Sequence, residues 1–234
     1  ICKEPGRYLA WPTVCRRKSG ELIAVFSGNR TAHVSPDGQV QLVRSVDGGE
    51  TWSMPETVKN GVLDDRDAGI LELDDGTLLI KWFTSINFTI SDIPAWADYY
   101  KTIPEDAARR TFGSFVTFSK DGGKTWSDGV RTIGSTPHGP IKLKDGRLLL
   151  VATKHHDQET VHVFRESRAH DVQTVEESRD DGRTWKMIGH VPGNPPRIAA
   201  NKLCEPHAVE LPDGKIVAMF RWEMDCGHLL QSES

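Results

Sequence analysis

An eight-residue pattern, Ser-x-Asp-x-Gly-x-Thr-Trp, occurs three times in this chain, as Ser45-Val-Asp-Gly-Gly-Glu-Thr-Trp52, Ser119-Lys-Asp-Gly-Gly-Lys-Thr-Trp126 and Ser178-Arg-Asp-Asp-Gly-Arg-Thr-Trp185. Each copy suits a β-hairpin turn. The Ser and Asp oxygens can accept backbone N–H groups, Gly supplies a positive φ, and the Trp ring buries itself between neighbouring sheets. A second repeat interleaves with the first: Lys18-Ser-Gly-Glu-Leu-Ile-Ala-Val-Phe26, Asp74-Asp-Gly-Thr-Leu-Leu-Ile-Lys-Trp82, Lys144-Asp-Gly-Arg-Leu-Leu-Leu-Val151 and Pro212-Asp-Gly-Lys-Ile-Val-Ala-Met-Phe220. A Gly-containing turn beside an apolar, β-rich run is a hairpin signal. Each unit therefore reads as strand A, tight turn, strand B, a variable connection, strand C, the eight-residue turn and strand D. A four-stranded antiparallel unit repeated at this interval is a propeller blade. The expected architecture is all-β, with blade 1 at about 8–60, blade 2 at about 61–135, blade 3 at about 136–192 and a truncated blade 4 at about 203–234.

With the blade as the unit, 234 residues make about four, and a further eight-residue copy is expected to open at Ser234. The chain is accordingly expected to be the N-terminal part of a longer propeller. A composition of 37% hydrophobic and 26% charged residues is that of an ordinary globular chain. No run of 18 apolar residues is present, so no membrane-spanning helix is expected. Lys and Arg number 29 against 33 Asp and Glu, a net charge of -4, which gives no basic surplus for nucleic acid. Cys2, Cys15, Cys204 and Cys226 have neither zinc-site spacing nor the density of a disulfide scaffold, and His155-His156-Asp157 reads as a polar loop. No metal and no cofactor is expected.

Up-and-down strand order places the A–B turns and the eight-residue turns on one face of the propeller, and the strand A starts and B–C connections on the other. The longer connections, which tend to carry function, all fall on this second face: 28–39, 85–111, 154–172 and 222–227. Within 85–111, Ile93-Pro-Ala-Trp-Ala-Asp-Tyr-Tyr-Lys101 and Pro104-Glu-Asp-Ala-Ala-Arg-Arg110 predict two short helices, each with a proline at its start. Trp96, Tyr99 and Tyr100 either cap a pocket or pack the insert onto its own blade. Nine residues before the turn glycines Gly20, Gly76, Gly146 and Gly214 stand Trp11, Asp67, Pro137 and Glu205, with Arg66, His138 and His207 beside them. Residues at this level face the channel mouth, where several blades can converge on one ligand. The turn at Asp213-Gly214 also brings Glu205 close to Arg221 across the hairpin, a carboxylate beside a guanidinium.

Combined, the repeats resemble the Asp-box propellers of the sialidase superfamily, and the resemblance covers the whole chain. It implies a six-bladed ring, of which about four blades are present. The stretch from Cys204-Glu205 through Glu210-Leu-Pro-Asp-Gly214 to Arg221 is similar to a sialidase segment in which the Glu assists a tyrosine nucleophile and the Arg helps to bind the substrate carboxylate. Cys204 stands where that segment has Asn. Ala10-Trp11-Pro12 stands where the family has Arg-Ile-Pro, so the first of its three carboxylate-binding arginines is missing; Arg7, Arg30 and Arg66 are nearby cations. Ala24-Val-Phe-Ser-Gly-Asn-Arg30 resembles the next family stretch, after which a loop carries the acid/base Asp. Asp37 is the nearest match, although Ser35-Pro-Asp-Gly38 also reads as a turn, and His33 is a rival proton donor. Leu63-Asp-Asp-Arg-Asp-Ala-Gly69 gathers three carboxylates round Arg66, and Pro137-His138-Gly-Pro140 is similar to a pocket-lining His-Gly of the family. None of Tyr8, Tyr99 and Tyr100 matches the family's nucleophile, so the chain by itself is expected to be inactive.

The resemblance thus implies a glycoside hydrolase acting on a terminal sialic acid or a similar carboxylate-bearing sugar, with a glycan as partner, Glu205, Asp37 and His33 as catalytic candidates, and Arg221, Arg66, Asp67, Arg30, His138 and His207 as substrate-binding ones. A carbohydrate-binding propeller without hydrolysis, and a glycosidase with another sugar specificity, are the alternatives. Fold alone does not choose among them.

Overall fold

The computed structural model describes residues 1–154, 172–192, 202–222 and 228–234. The connections at 155–171 and 223–227, with His155, His156, Asp157 and Cys226, lie outside the described residues. Four antiparallel sheets follow one another along the chain: β1 (Tyr8–Arg16), β2 (Leu22–Arg30), β3 (Gln39–Ser45) and β4 (Glu56–Lys59); β5 (Asp64–Glu72), β6 (Leu78–Ser85), β7 (Ser114–Ser119) and β8 (Val130–Arg131); β9 (Ile141–Lys142), β10 (Leu148–Lys154), β11 (Val172–Ser178) and β12 (Lys186–Val191); and β13 (Leu203–Glu210), β14 (Ile216–Trp222) and β15 (Leu229–Glu233). Within each sheet sequence order is spatial order, the meander of a propeller blade. No helix among the described residues is long and apolar enough to cross a membrane.

The second strands of the first three blades are buried on both faces, which is why they read as continuous apolar runs rather than as alternations. Ile23 and Val25 of β2 join Ala68, Ile70, Leu78, Ile80 and Trp82 of the second blade in one core, while Ala24 and Phe26 point the other way, towards Val43. The next core sets Leu73, Leu79 and Val116 against Leu148, and the one after sets Val151 against Leu203, Ala208, Ala218 and Phe220. The cores therefore lie between successive blades.

The eight-residue turns close as their chemistry predicts. Ser45 Oγ donates to Asp47 Oδ1 at 2.7 Å and accepts the Gly49 N–H at 2.9 Å, Asp47 Oδ1 accepts the Thr51 N–H at 2.9 Å, and Trp52 Nε1 donates to the Gly49 carbonyl at 3.0 Å. The Ser, Asp and Thr contacts recur round Asp121 and Asp180. These bonds to the charged form hold Asp47 and Asp121 far below the usual carboxylate range, and the Thr51 and Thr125 side chains contribute most. The left-handed position before the last turn glycine is Gly48 (φ 77°) and Gly122 (φ 74°) in two copies and Asp181 (φ 58°) in the third. Asp is among the few side chains that tolerate it.

The insert between β6 and β7 contains a 3₁₀ turn at Asn87–Ile90 and two helices, α1 (Pro94–Thr102) and α2 (Glu105–Thr111), as the two prolines predict. Its aromatics pack inward. Trp96 and Tyr100 lie on a core of Leu63, Ile86, Phe88, Ala108 and Phe112, and Tyr99 Oη donates to the Val62 carbonyl at 3.1 Å. Of the two readings of these rings, packing of the insert onto its blade is the one the contacts show.

Candidate functional site

The four first strands begin at the same end of the propeller, opposite the eight-residue turns, and a single backbone device recurs there. Trp11 (φ 55°), Asp67 (φ 53°) and Glu205 (φ 51°) are left-handed, and each sits in a register shift of its hairpin: between Ala10 and Thr13, Arg66 and Gly69, and Cys204 and His207. These are the residues nine before the turn glycines. Left-handed backbone at a bulky side chain is costly, and such positions concentrate at ligand sites. The third blade has Pro137 at this level, whose ring excludes positive φ, and its first strand is correspondingly short.

Blades 1 and 2 build one side of the site. Arg30, at the end of β2, is closed to solvent and bidentate on Asp64, with Nη1 on Oδ1 at 2.7 Å and Nη2 on Oδ2 at 2.8 Å; Nη2 also donates to the His33 carbonyl at 2.6 Å. It thus supports the site from behind. Arg66 Nε donates to Asp67 Oδ2 at 3.2 Å, and its guanidinium lies 4.6 Å from the Trp11 ring centroid. Ser27 joins the blades by accepting the Asp67 N–H at 2.8 Å and donating to Asp67 Oδ1 at 3.1 Å. His33 is edge-on to Trp11 at 5.0 Å and meets Tyr8 Oη at 3.5 Å. Partial burial, followed by the charges of Arg66 and Arg30 and, more weakly, Arg221, lowers its pKa. Asp37 is exposed in a turn whose Gly38 N–H donates to the Ser35 carbonyl.

Blades 3 and 4 build the other side. Arg221 Nη1 donates to Glu205 Oε1 at 2.7 Å, and Arg221 Nε lies 3.2 Å from Cys204 Sγ. The cross-strand pair expected from the hairpin is thus formed. His138 and His207 meet edge to face, with ring centroids 5.3 Å apart. Burial and then Lys81 lower the His138 pKa, and burial with His138 lowers that of His207. The two sides meet at Gly69, where an added Cβ would strike the His138 carbonyl. No group of three or more His, Cys, Asp or Glu that could hold a metal is found among the described residues.

Two side chains, Lys81 and Glu176, escape a reading of the sequence, and the burial of Asp65, one of the acids seen round Arg66, escapes it as well. Lys81, in the middle of β6, is fully buried and donates to the Thr136 carbonyl, and Thr136 Oγ1 in turn donates to the Pro206 carbonyl. Burial lowers its pKa to about 7 against the pull of Glu176 and Asp67. Glu176 is buried on the Ile133 and Gly134 N–H groups at 3.0 and 2.7 Å. Asp65 accepts from Trp82 Nε1 at 2.8 Å, and burial raises it to about 6. A lysine within Leu78-Leu-Ile-Lys-Trp-Phe83 was the only hint, and its acceptor lies 55 residues away.

Asp-box blades set side by side, with their first strands converging on one polar and aromatic end, define a sialidase-like β-propeller. The chain belongs to the BNR repeat-like domain family, whose model matches residues 2–186 and 88–234. Among solved structures, it is similar to a protein of unknown function from Dyadobacter fermentans (21% identity, TM-score 0.75, covering 100% of this chain and 67% of that one). It is also similar to the Hadza microbial sialidase Hz136 (18%, 0.65, 97% and 44%) and to the NanB sialidase of Streptococcus pneumoniae (14%, 0.66, 97% and 50%). At these identities the likeness is one of fold. The chain spans two thirds of the first of these proteins and about half of the two sialidases. No curated protein sequence matches it.

Proposed function

We propose that this chain supplies the sugar-reading end of a six-bladed glycoside hydrolase that acts on a terminal sugar. The observation that carries the reading is the left-handed bulge repeated at Trp11, Asp67 and Glu205. Three blades keep a strained backbone at the same level of the same face, and each puts an aromatic or an acid there. The six-bladed ring is what the resemblance of the Asp-box repeats to the sialidase superfamily implies.

In this reading Glu205, held by Arg221, is the base that activates the nucleophile, and His33 or Asp37 delivers the proton to the leaving oxygen. His33 stands nearer the rings, edge-on to Trp11, while burial and the charge of Arg66 favour its neutral form and so disfavour it as the acid. Asp67, Arg66, His138 and His207 bind sugar hydroxyls. Whether the sugar carries a carboxylate turns on the charge of the site.

Turnover of fluorogenic 4-methylumbelliferyl glycosides, neutral and anionic, by the complete six-bladed protein tests the reading. Glu205→Gln should lower kcat about a hundredfold or more while KM moves less than about threefold. Full turnover by Glu205→Gln would remove the catalytic assignment. Sugar binding without turnover by the complete six-bladed protein would favour the binding propeller, a reading supported by the ion pairs that already engage Asp64, Asp67 and Glu205.

A further inference from the structure

Among the described residues, Arg30, Arg66 and Arg221 each already lie against a carboxylate. Arg30 is bidentate on Asp64 with both side chains closed to solvent, Arg66 lies against Asp67 at 3.2 Å and Asp64 at 3.6 Å, and Arg221 lies against Glu205 at 2.7 Å. At the rim, Arg7 donates to the Asn29 carbonyl, and Asn29 Nδ2 donates to the Asp37 carbonyl, so one exposed cation and one exposed acid flank the same asparagine. Lys81 is buried on the Thr136 carbonyl, with Glu176 and Asp67 in its field. His33, His138 and His207 all have lowered pKa values, so the imidazoles add little charge at neutral pH. An anion entering here would have to share its cation with a protein carboxylate, and like charges at close range disfavour that.

The rings supply a different attraction. Tyr8 is 39% exposed, its ring lies 5.7 Å from that of Trp11, and the exposed His33 stands edge-on to both. Aromatic faces suit the C–H faces of a sugar ring, and ion pairs offer acceptors and donors together to its hydroxyls.

We infer that the site selects a neutral sugar, stacked on the Tyr8–Trp11 side and bound through its hydroxyls by the Asp67–Arg66 and Glu205–Arg221 pairs, over a sugar that carries a carboxylate. The inference rests on the glycan site proposed above and names its substrate class.

Saturation-transfer NMR at neutral pH tests it, with the methyl glycosides of galactose, glucose, mannose and rhamnose set against those of N-acetylneuraminic acid and glucuronic acid. The tightest neutral glycoside should bind at least about tenfold more tightly than either anion. Trp11→Ala should weaken that glycoside about tenfold, the scale of one lost ring contact, and Trp11→Arg should shift the preference towards the anions. Equal or tighter binding of either anion by the unaltered protein overturns the inference and leaves the glycan site standing. Unchanged neutral-sugar binding by a folded Trp11→Ala overturns the stacking. Binding of no sugar at all removes the glycan site itself.

Discussion

The buried pairs behind the site set its geometry, and their energetics are those of charges kept from water. Asp64 has no exposed surface, and burial pushes it up to about 6 while Arg30 and Arg66 pull it down. An ion pair of this kind gains little over an apolar pair, but breaking it strands the partner. Asp64→Asn, which leaves Arg30 buried without its counter-charge, should cost about 3–5 kcal/mol in urea denaturation. Lys81 makes a separate prediction. Its pKa is about 7 in the fold against 10.5 for an unburied lysine, so between those values the unfolded chain holds a proton that the folded chain releases. Stability from this group therefore rises with pH across that window, and the burial penalty is fully present below pH 7. Denaturation midpoints at pH 7, 8 and 9 should climb in the unaltered protein relative to Lys81→Met; a constant difference would mean that Lys81 keeps its ordinary pKa.

At the scale of the element, what could be read from sequence was whatever closes within a few residues. The Asp-box turns and the A–B hairpins are local turn chemistry, and the insert's helices follow from two prolines and a first turn with Glu105 and Asp106. Counting back from the turn glycines located Trp11, Asp67 and Glu205, but not their left-handed backbone, because that depends on hairpin register. Arg30 was legible as a cation near the site, yet its partner Asp64 is 34 residues away on the next blade, so its role as a buried support was not. Gly69 shows the same limit. The sequence gives no sign that its Cα lies against the His138–Gly139 backbone of the following blade. Gly69→Ala should therefore cost about 1–3 kcal/mol by forcing two blades apart, and should shift the His138 ring resonances. Gly48→Asp, with open space round its Cβ and Asp181 as precedent in the third box, should cost no more than about 1 kcal/mol.

At the scale of the whole molecule, the face away from the site is held by contacts that repeat from blade to blade. The Lys18 N–H donates to Glu72 at 2.7 Å, Asp74 pairs with Lys142, and the Lys144 N–H donates to Glu210 at 2.7 Å. The residue two before each turn glycine meets the residue four before the next, with opposite charge each time. Asp74–Lys142 is a side-chain ion pair, worth about 0–1 kcal/mol at a surface, and the other two are backbone N–H bonds to a carboxylate, so the set fixes register between blades. Structure is thus divided between the two ends: turns and latches at one, strained first-strand starts, ion pairs and rings at the other. The central claim is that the second end is where a glycan binds. It is tested most directly by following the tryptophan indole N–H and histidine ring resonances during titration with the tightest-binding methyl glycoside. Trp11, His33, His138 and His207 should move together while Trp52, Trp126 and Trp185 of the Asp boxes stay in place; shifts confined to the box tryptophans, with Trp11 and the three histidines still, would contradict it.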